Sequence, residues 1–163
     1  MRDDLILAAA RLKKELEERN LTLATCESLT CGMIASALGD IPGVSAVYAG
    51  GAVSYAPMAK AILAGVSETH LARCGTVDPE TARQMCEGIR EKLDTDCAIA
   101  VTGNAGPTAS EGKEVGLVYI AVNDGRKTYV REYHFRGDRS DIRTETALRA
   151  LEDLRERIKK TSD

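Results

Sequence analysis

Tryptophan is missing from the 163 residues, phenylalanine occurs once, and aromatic side chains make up only 4% of the chain. The core must therefore come from Ala, Leu, Ile and Val, a composition that suits helices packed on a sheet. No apolar run approaches the ~18 residues needed to span a membrane. Positive charge is not in excess either: the net charge is −3 and the pI near 5.5, which argues against a nucleic-acid surface. The five cysteines are odd in number and contain no C-x-x-C pair, and there are only two histidines, His70 and His134. A metal site is not expected from such spacing, and buried reduced thiols account for the cysteines. Acids at the amphipathic N-terminus exclude a signal peptide, which leaves the cytoplasm as the expected compartment.

What is present fits one α/β domain spanning residues 1–163, which by its length needs neither disulfide nor metal to fold. Leu5, Ala9, Leu12 and Leu16 recur at helical spacing and predict a helix over 3–19. "LTLATC" reads as a short buried strand, and "TCGMIASAL" (30–38) as a helix ended by "GDIPG". "VYAGGAVSY" (47–55) is a second strand whose glycine pair permits close backbone approach. Helices follow over 57–65, with Pro57 at its first position, around 67–73, and from Pro79, with Asp78 as cap. "CAIAVTG" (97–103) is a fully apolar strand. "VGLVYIAVN" and "TYVREYHF" flank an Asp-Gly hairpin turn, and a long helix from about Arg139 closes the chain. This alternation predicts a three-layer α/β/α sandwich on a mixed sheet of about five strands.

Open α/β sheets bind ligands at the carboxyl ends of their strands. "ESLTCG", "SYAPMAK" and "TGNAGPTASEGKEVG" all fall there. Ser28, between strand and helix, reads either as an N-cap or as a nucleophile placed at the positive end of a helix. Glu27 either caps the neighbouring turn or bonds a ligand hydroxyl. A serine nucleophile needs a base, and neither histidine is well placed. Lys60, among Ala, Met, Ile and Leu, either keeps its head in water or is desolvated and acts as a neutral amine. Tyr55 could orient either partner. The glycine-rich loop after the third strand could offer an anion-binding nest or be an ordinary turn. Arg139 and Arg143 share a helix face and either grip a phosphate or pair with Asp141 and Glu145.

Together these stretches resemble the C-terminal domain of the competence-damage protein family, whose stand-alone members are nicotinamide-nucleotide amidases. The family's E-S-x-T-G-G corresponds to "ESLTCG", its Y-x-N-x-x-K to "YAPMAK", and its T-G-x-A-G-P to "TGNAGP". V-G-x-V-Y and G-D-R-x-x-x-R correspond to "VGLVY" and "GDRSDIR". The resemblance runs from about residue 5 to 160 and implies a Ser–Lys amidohydrolase. Such an enzyme converts nicotinamide mononucleotide to nicotinate mononucleotide and ammonia without metal or cofactor. Ser28 would be the nucleophile, Lys60 its base and Tyr55 a supporting donor. Glu27, Thr30 and the turn ending in Gly32 would lie at the substrate, with Thr30 near the oxyanion. Thr102, Gly103, Ala105, Gly106 and Arg139 or Arg143 would hold the ribose phosphate. The resemblance also implies a homodimer with a small nucleotide as its partner, not a nucleic acid or membrane. The chain departs from the family pattern at Cys31, at Pro57 and in "TGNAGP", where Asn104 replaces an apolar residue. Two further readings follow from this: a pyridine-nucleotide-binding protein without turnover, and a Ser–Lys hydrolase of another carboxamide.

Overall fold

The computed structural model describes residues 2–161. Helix α1 (Arg2–Glu18) carries Asp3 and Asp4 in its first turn, against the helix dipole, and buries Leu5, Ala8, Ala9, Leu12 and Leu16. Asn20, with φ of +52°, turns the chain out of it. The elements that follow are β1 (Leu23–Glu27), α2 (Met33–Gly39), β2 (Tyr48–Val53), α3 (Pro57–Ala64), α4 (Glu68–Cys74) and α5 (Pro79–Leu93). Then come β3 (Cys97–Gly103), β4 (Leu117–Asn123), β5 (Thr128–His134) and α6 (Arg139–Thr161). Asp78 caps α5 by accepting the N–H groups of Glu80 and Thr81. Asp124 closes the β4–β5 hairpin by accepting those of Arg126 and Lys127.

The five strands form one mixed sheet in the order β2-β1-β3-β4-β5. β1 runs parallel to both β2 and β3, while β3–β4 and β4–β5 are antiparallel. Alternation along the strands divides the core into two layers. Ile99 and Val101 of β3 pack with Val118, Ile120 and Val122 of β4 beneath α1, α2 and α6. Ala98, Ala100 and Ala121 face the other way, where Met85, Cys86 and Ile89 of α5 cover them. Small residues on that face let α5 lie close to the sheet. The glycine pair of β2 serves a different contact, with the neighbouring strand: a Cβ at Gly51 would stand 2.2 Å from the Thr25 hydroxyl oxygen of β1. Among the described residues no helix is long and apolar enough to cross a membrane.

One boundary differs from the sequence expectation in a way that matters for the site. The helix anticipated from Thr30 begins only at Met33, because Cys31 (φ +49°) and Gly32 (φ +93°) are both left-handed. The cap position of α2 is Gly32, with no side-chain cap bond of its own, so Ser28 is not the N-cap that a strand–serine–helix pattern suggests.

Candidate active site

The topology opens a crevice beside Ser28. From β1 the chain leaves toward β2, and from β3 toward β4, that is, toward opposite edges of the sheet. The loops after β1 and β3 therefore part at a switch point, where open α/β sheets hold their ligands. A cleft of about 450 Å³ lies there, lined by Ser28, Tyr55 and Pro57 on one side and by Thr102–Gly106, Thr76 and Val77 on the other. That volume falls within the range of small-ligand sites.

Lys60 is wholly buried and is the largest such side chain. Its Nζ donates to Ser28 Oγ (2.9 Å) and to the carbonyls of Ser54 (2.7 Å) and Tyr55 (3.0 Å). The three acceptors account for all three ammonium hydrogens. Pro57 starts α3 at its first position, where a missing N–H costs nothing, and Lys60 follows three residues on. Burial lowers the Lys60 pKa from 10.5 to about 8, against a smaller upward pull from Cys26 and Glu111. A substantial neutral fraction thus exists slightly above neutrality, which a lysine in water would not have. Beneath the pair, Cys26 Sγ meets Ser54 Oγ at 3.2 Å, and burial pushes that thiol up.

Glu27 and Thr30 turn away from the cleft. The Glu27 carboxylate is buried and accepts from Thr30 Oγ1 (2.6 Å), Ile34 N (2.9 Å) and Ala35 N (2.9 Å). It closes the N-terminus of α2 from the preceding strand, supplying the cap that Gly32 cannot. The Thr30 hydroxyl expected near an oxyanion is committed to Glu27, and the Cys31 N–H to Ser28 O (3.0 Å). Of the alternatives open for Glu27, the cap is the one the contacts make.

The remaining candidates divide. Thr102, Gly103, Ala105, Gly106 and Arg139 all line the cleft with Ser28. Arg139 donates to Gly106 O (2.6 Å) and to the Tyr55 hydroxyl (2.9 Å). Tyr55 thus meets Lys60 through its backbone carbonyl, and its half-exposed ring reaches Arg139 instead. Arg143 shares a helix face with Arg139 but not its destination. It donates to Leu29 O (2.8 Å) and Thr30 O (3.2 Å), bracing the loop that carries Ser28. Gly32 and Cys31 line a separate hollow with Arg143, beside Arg2 and Asp40. The cysteine that replaces a family glycine therefore does not intrude on the serine. Asn104 spends its amide on the loop, donating to Lys113 O and accepting from Gly106 N.

Thr76, Val77 and Glu111 line the cleft without having been singled out from the sequence. Their placement depends on a contact across 34–35 residues, in which Glu111 accepts the N–H groups of both Thr76 and Val77, so no local pattern marks them. Neither histidine is at Ser28. His134 is clasped by Glu114 and Glu132. His70 Nε2 meets Asp78 (2.9 Å) and Thr81 (3.0 Å). With Cys74, His70 and Asp78 place potential ligand atoms within 4.8 Å of one another. The imidazole and carboxylate are already engaged in closing the start of α5.

Comparison with known proteins agrees with this architecture. Residues 7–158 match the family model described as the CinA C-terminal domain. A CinA-like protein of Syntrophus aciditrophicus is 49% identical over 138 residues, covering 83% of this chain and 33% of that protein. A CinA-like protein of Geobacter sulfurreducens is 45% identical over 152 residues, covering 93% and 36% respectively. The chain thus spans about a third of the length of the curated relatives it matches. Among solved structures, the competence damage-inducible protein A from Klebsiella pneumoniae superposes with a TM-score of 0.92 at 31% identity, over 94% of this chain and 96% of that one. The competence/damage inducible protein CihA from Agrobacterium tumefaciens gives 0.88 at 37% identity, over 93% of each.

Proposed function

The chain belongs to the CinA C-terminal domain family, and we propose that it is an amidohydrolase converting nicotinamide mononucleotide to nicotinate mononucleotide and ammonia. The observation that carries the reading is the buried Lys60 amine at 2.9 Å from the Ser28 hydroxyl, at the wall of a ligand-sized cleft. The motif resemblance supplies the substrate. Arg139 at the same cleft suits its phosphate.

The geometry suggests how the pair works. In its neutral form Lys60 keeps two N–H bonds to the carbonyls of Ser54 and Tyr55, and its lone pair faces Ser28 Oγ. As Oγ attacks the carboxamide carbon, its proton passes to Nζ. The new ammonium returns that proton to the departing nitrogen as the C–N bond breaks. Ammonia leaves, and an ester remains on Ser28. Water, deprotonated by the again-neutral amine, cleaves the ester to the carboxylate and restores the serine.

Incubating the purified protein with nicotinamide mononucleotide should release ammonia and nicotinate mononucleotide in equal amounts. Release from other carboxamides but not from the nucleotide would keep the dyad and change the substrate. Saturable nucleotide binding with no ammonia between pH 6 and 10 would overturn the reading and leave a binding protein.

A further inference from the structure

The cleft carries two charged side chains on different walls. Arg139 is held by Gly106 O and the Tyr55 hydroxyl. Glu111 is held on the segment before α5, accepting from Thr76 N (3.0 and 3.1 Å), Thr76 Oγ1 (2.7 Å) and Val77 N (3.0 Å). Resting on the amidase reading above, we infer that Glu111 is a specificity residue that selects substrates with a cationic ring, so that the cleft recognises a zwitterion.

Three features support this. First, the carboxylate is built in. Gly75 (φ +79°) makes room for it, since a Cβ there would stand 2.7 Å from Glu111 Oε1. Second, it stays charged. Partial burial pulls its pKa up, but the bonds from Val77 and Thr76 and the charge of Lys60 outweigh that and hold it below the ordinary carboxylate range. Third, the charge acts where the reaction occurs. Glu111 and Ser28 line one cleft, and Glu111 and Lys60 sense each other electrostatically. A substrate whose carboxamide reaches Ser28 must lay its ring between these walls. A pyridinium ring brings a positive charge there, and its phosphate brings negative charge suited to Arg139. The product keeps the ring charge but gains a second anionic group, so its attraction to Glu111 is weaker than the substrate's.

The test compares binding of nicotinamide mononucleotide with binding of its uncharged isostere, in which carbon replaces the ring nitrogen. Calorimetry on the Ser28→Ala protein keeps turnover out of the measurement. With Glu111 intact, the cationic ligand is expected to bind about tenfold tighter, the size of one screened charge contact. Glu111→Gln keeps an acceptor for the Thr76–Val77 segment and is expected to reduce the preference to about twofold, mainly by weakening the cationic ligand. A purely structural role would weaken both ligands equally. Equal affinities with Glu111 intact, or a preference unchanged by Glu111→Gln, would overturn the inference. The amidase reading is judged separately by ammonia release from the wild-type protein.

Discussion

Lys60→Met should abolish ammonia release, lowering the rate at least about 10³-fold. Methionine has a similar length and no lone pair basic enough to take the Ser28 proton. In the proposed mechanism turnover requires the neutral amine, so the wild-type rate should rise with pH through about 8, where Lys60 loses its proton. The same ionisation appears in stability, with a sign that follows from linkage. Because the folded-state pKa lies below the unfolded one, the folded protein binds fewer protons between about pH 8 and 10.5. Burying the lysine as an ammonium therefore costs stability at neutral pH, by about 3 kcal/mol, and the cost fades as pH climbs through that window. The melting temperature of wild type should rise relative to Lys60→Met between pH 8 and 10.5. A constant difference across that range would mean that Lys60 titrates as an ordinary surface lysine.

Glu27→Ala should cause the largest loss of stability. It leaves the Thr30 hydroxyl and the N–H groups of Ile34 and Ala35 without their acceptor at a buried helix start. Unsatisfied buried donors cost about 1–3 kcal/mol each before relaxation, so a total of about 3 kcal/mol and a fall of about 10 °C in melting temperature are expected. Glu27→Gln should fall between the two proteins: its carbonyl can still accept, but its NH₂ faces a donor. A melting temperature within about 2 °C of wild type for Glu27→Ala would show that water reaches the helix start and that the cap is dispensable. The loop also carries Ser28, and Arg143 braces it from α6 through Leu29 O and Thr30 O. Loss of the Glu27 cap is therefore expected to reduce turnover as well.

The order of helices and strands was legible because its signals are local: periodic leucines in α1, Asp78 and Pro79 at α5, Asp124 and Gly125 at the hairpin. The start of α2 was not, because Thr30–Leu38 has helical composition while Cys31 takes a left-handed conformation that glycine normally occupies. The pairing of Ser28 with Lys60 was suggested only by the resemblance. Taken by themselves, Ser28 and Lys60 each had an ordinary reading, and what decides Lys60 is burial created by a contact 32 residues away. Arg139 and Arg143 show the limit of helical spacing: a shared face does not bring two long side chains to one ligand. Glu111 lay inside a loop read as glycine-rich, and its partners are brought to it only by the folded chain.

In the proposed mechanism Ser28 attacks the carboxamide. The most direct test is the initial rate of ammonia release from nicotinamide mononucleotide by Ser28→Ala, measured beside wild type at pH 8.5 or so, where Lys60 is largely neutral. Removing one hydroxyl oxygen should leave the melting temperature within about 2 °C of wild type and reduce the rate at least about 10³-fold. A rate within tenfold of wild type, from a variant equally folded, would contradict the account.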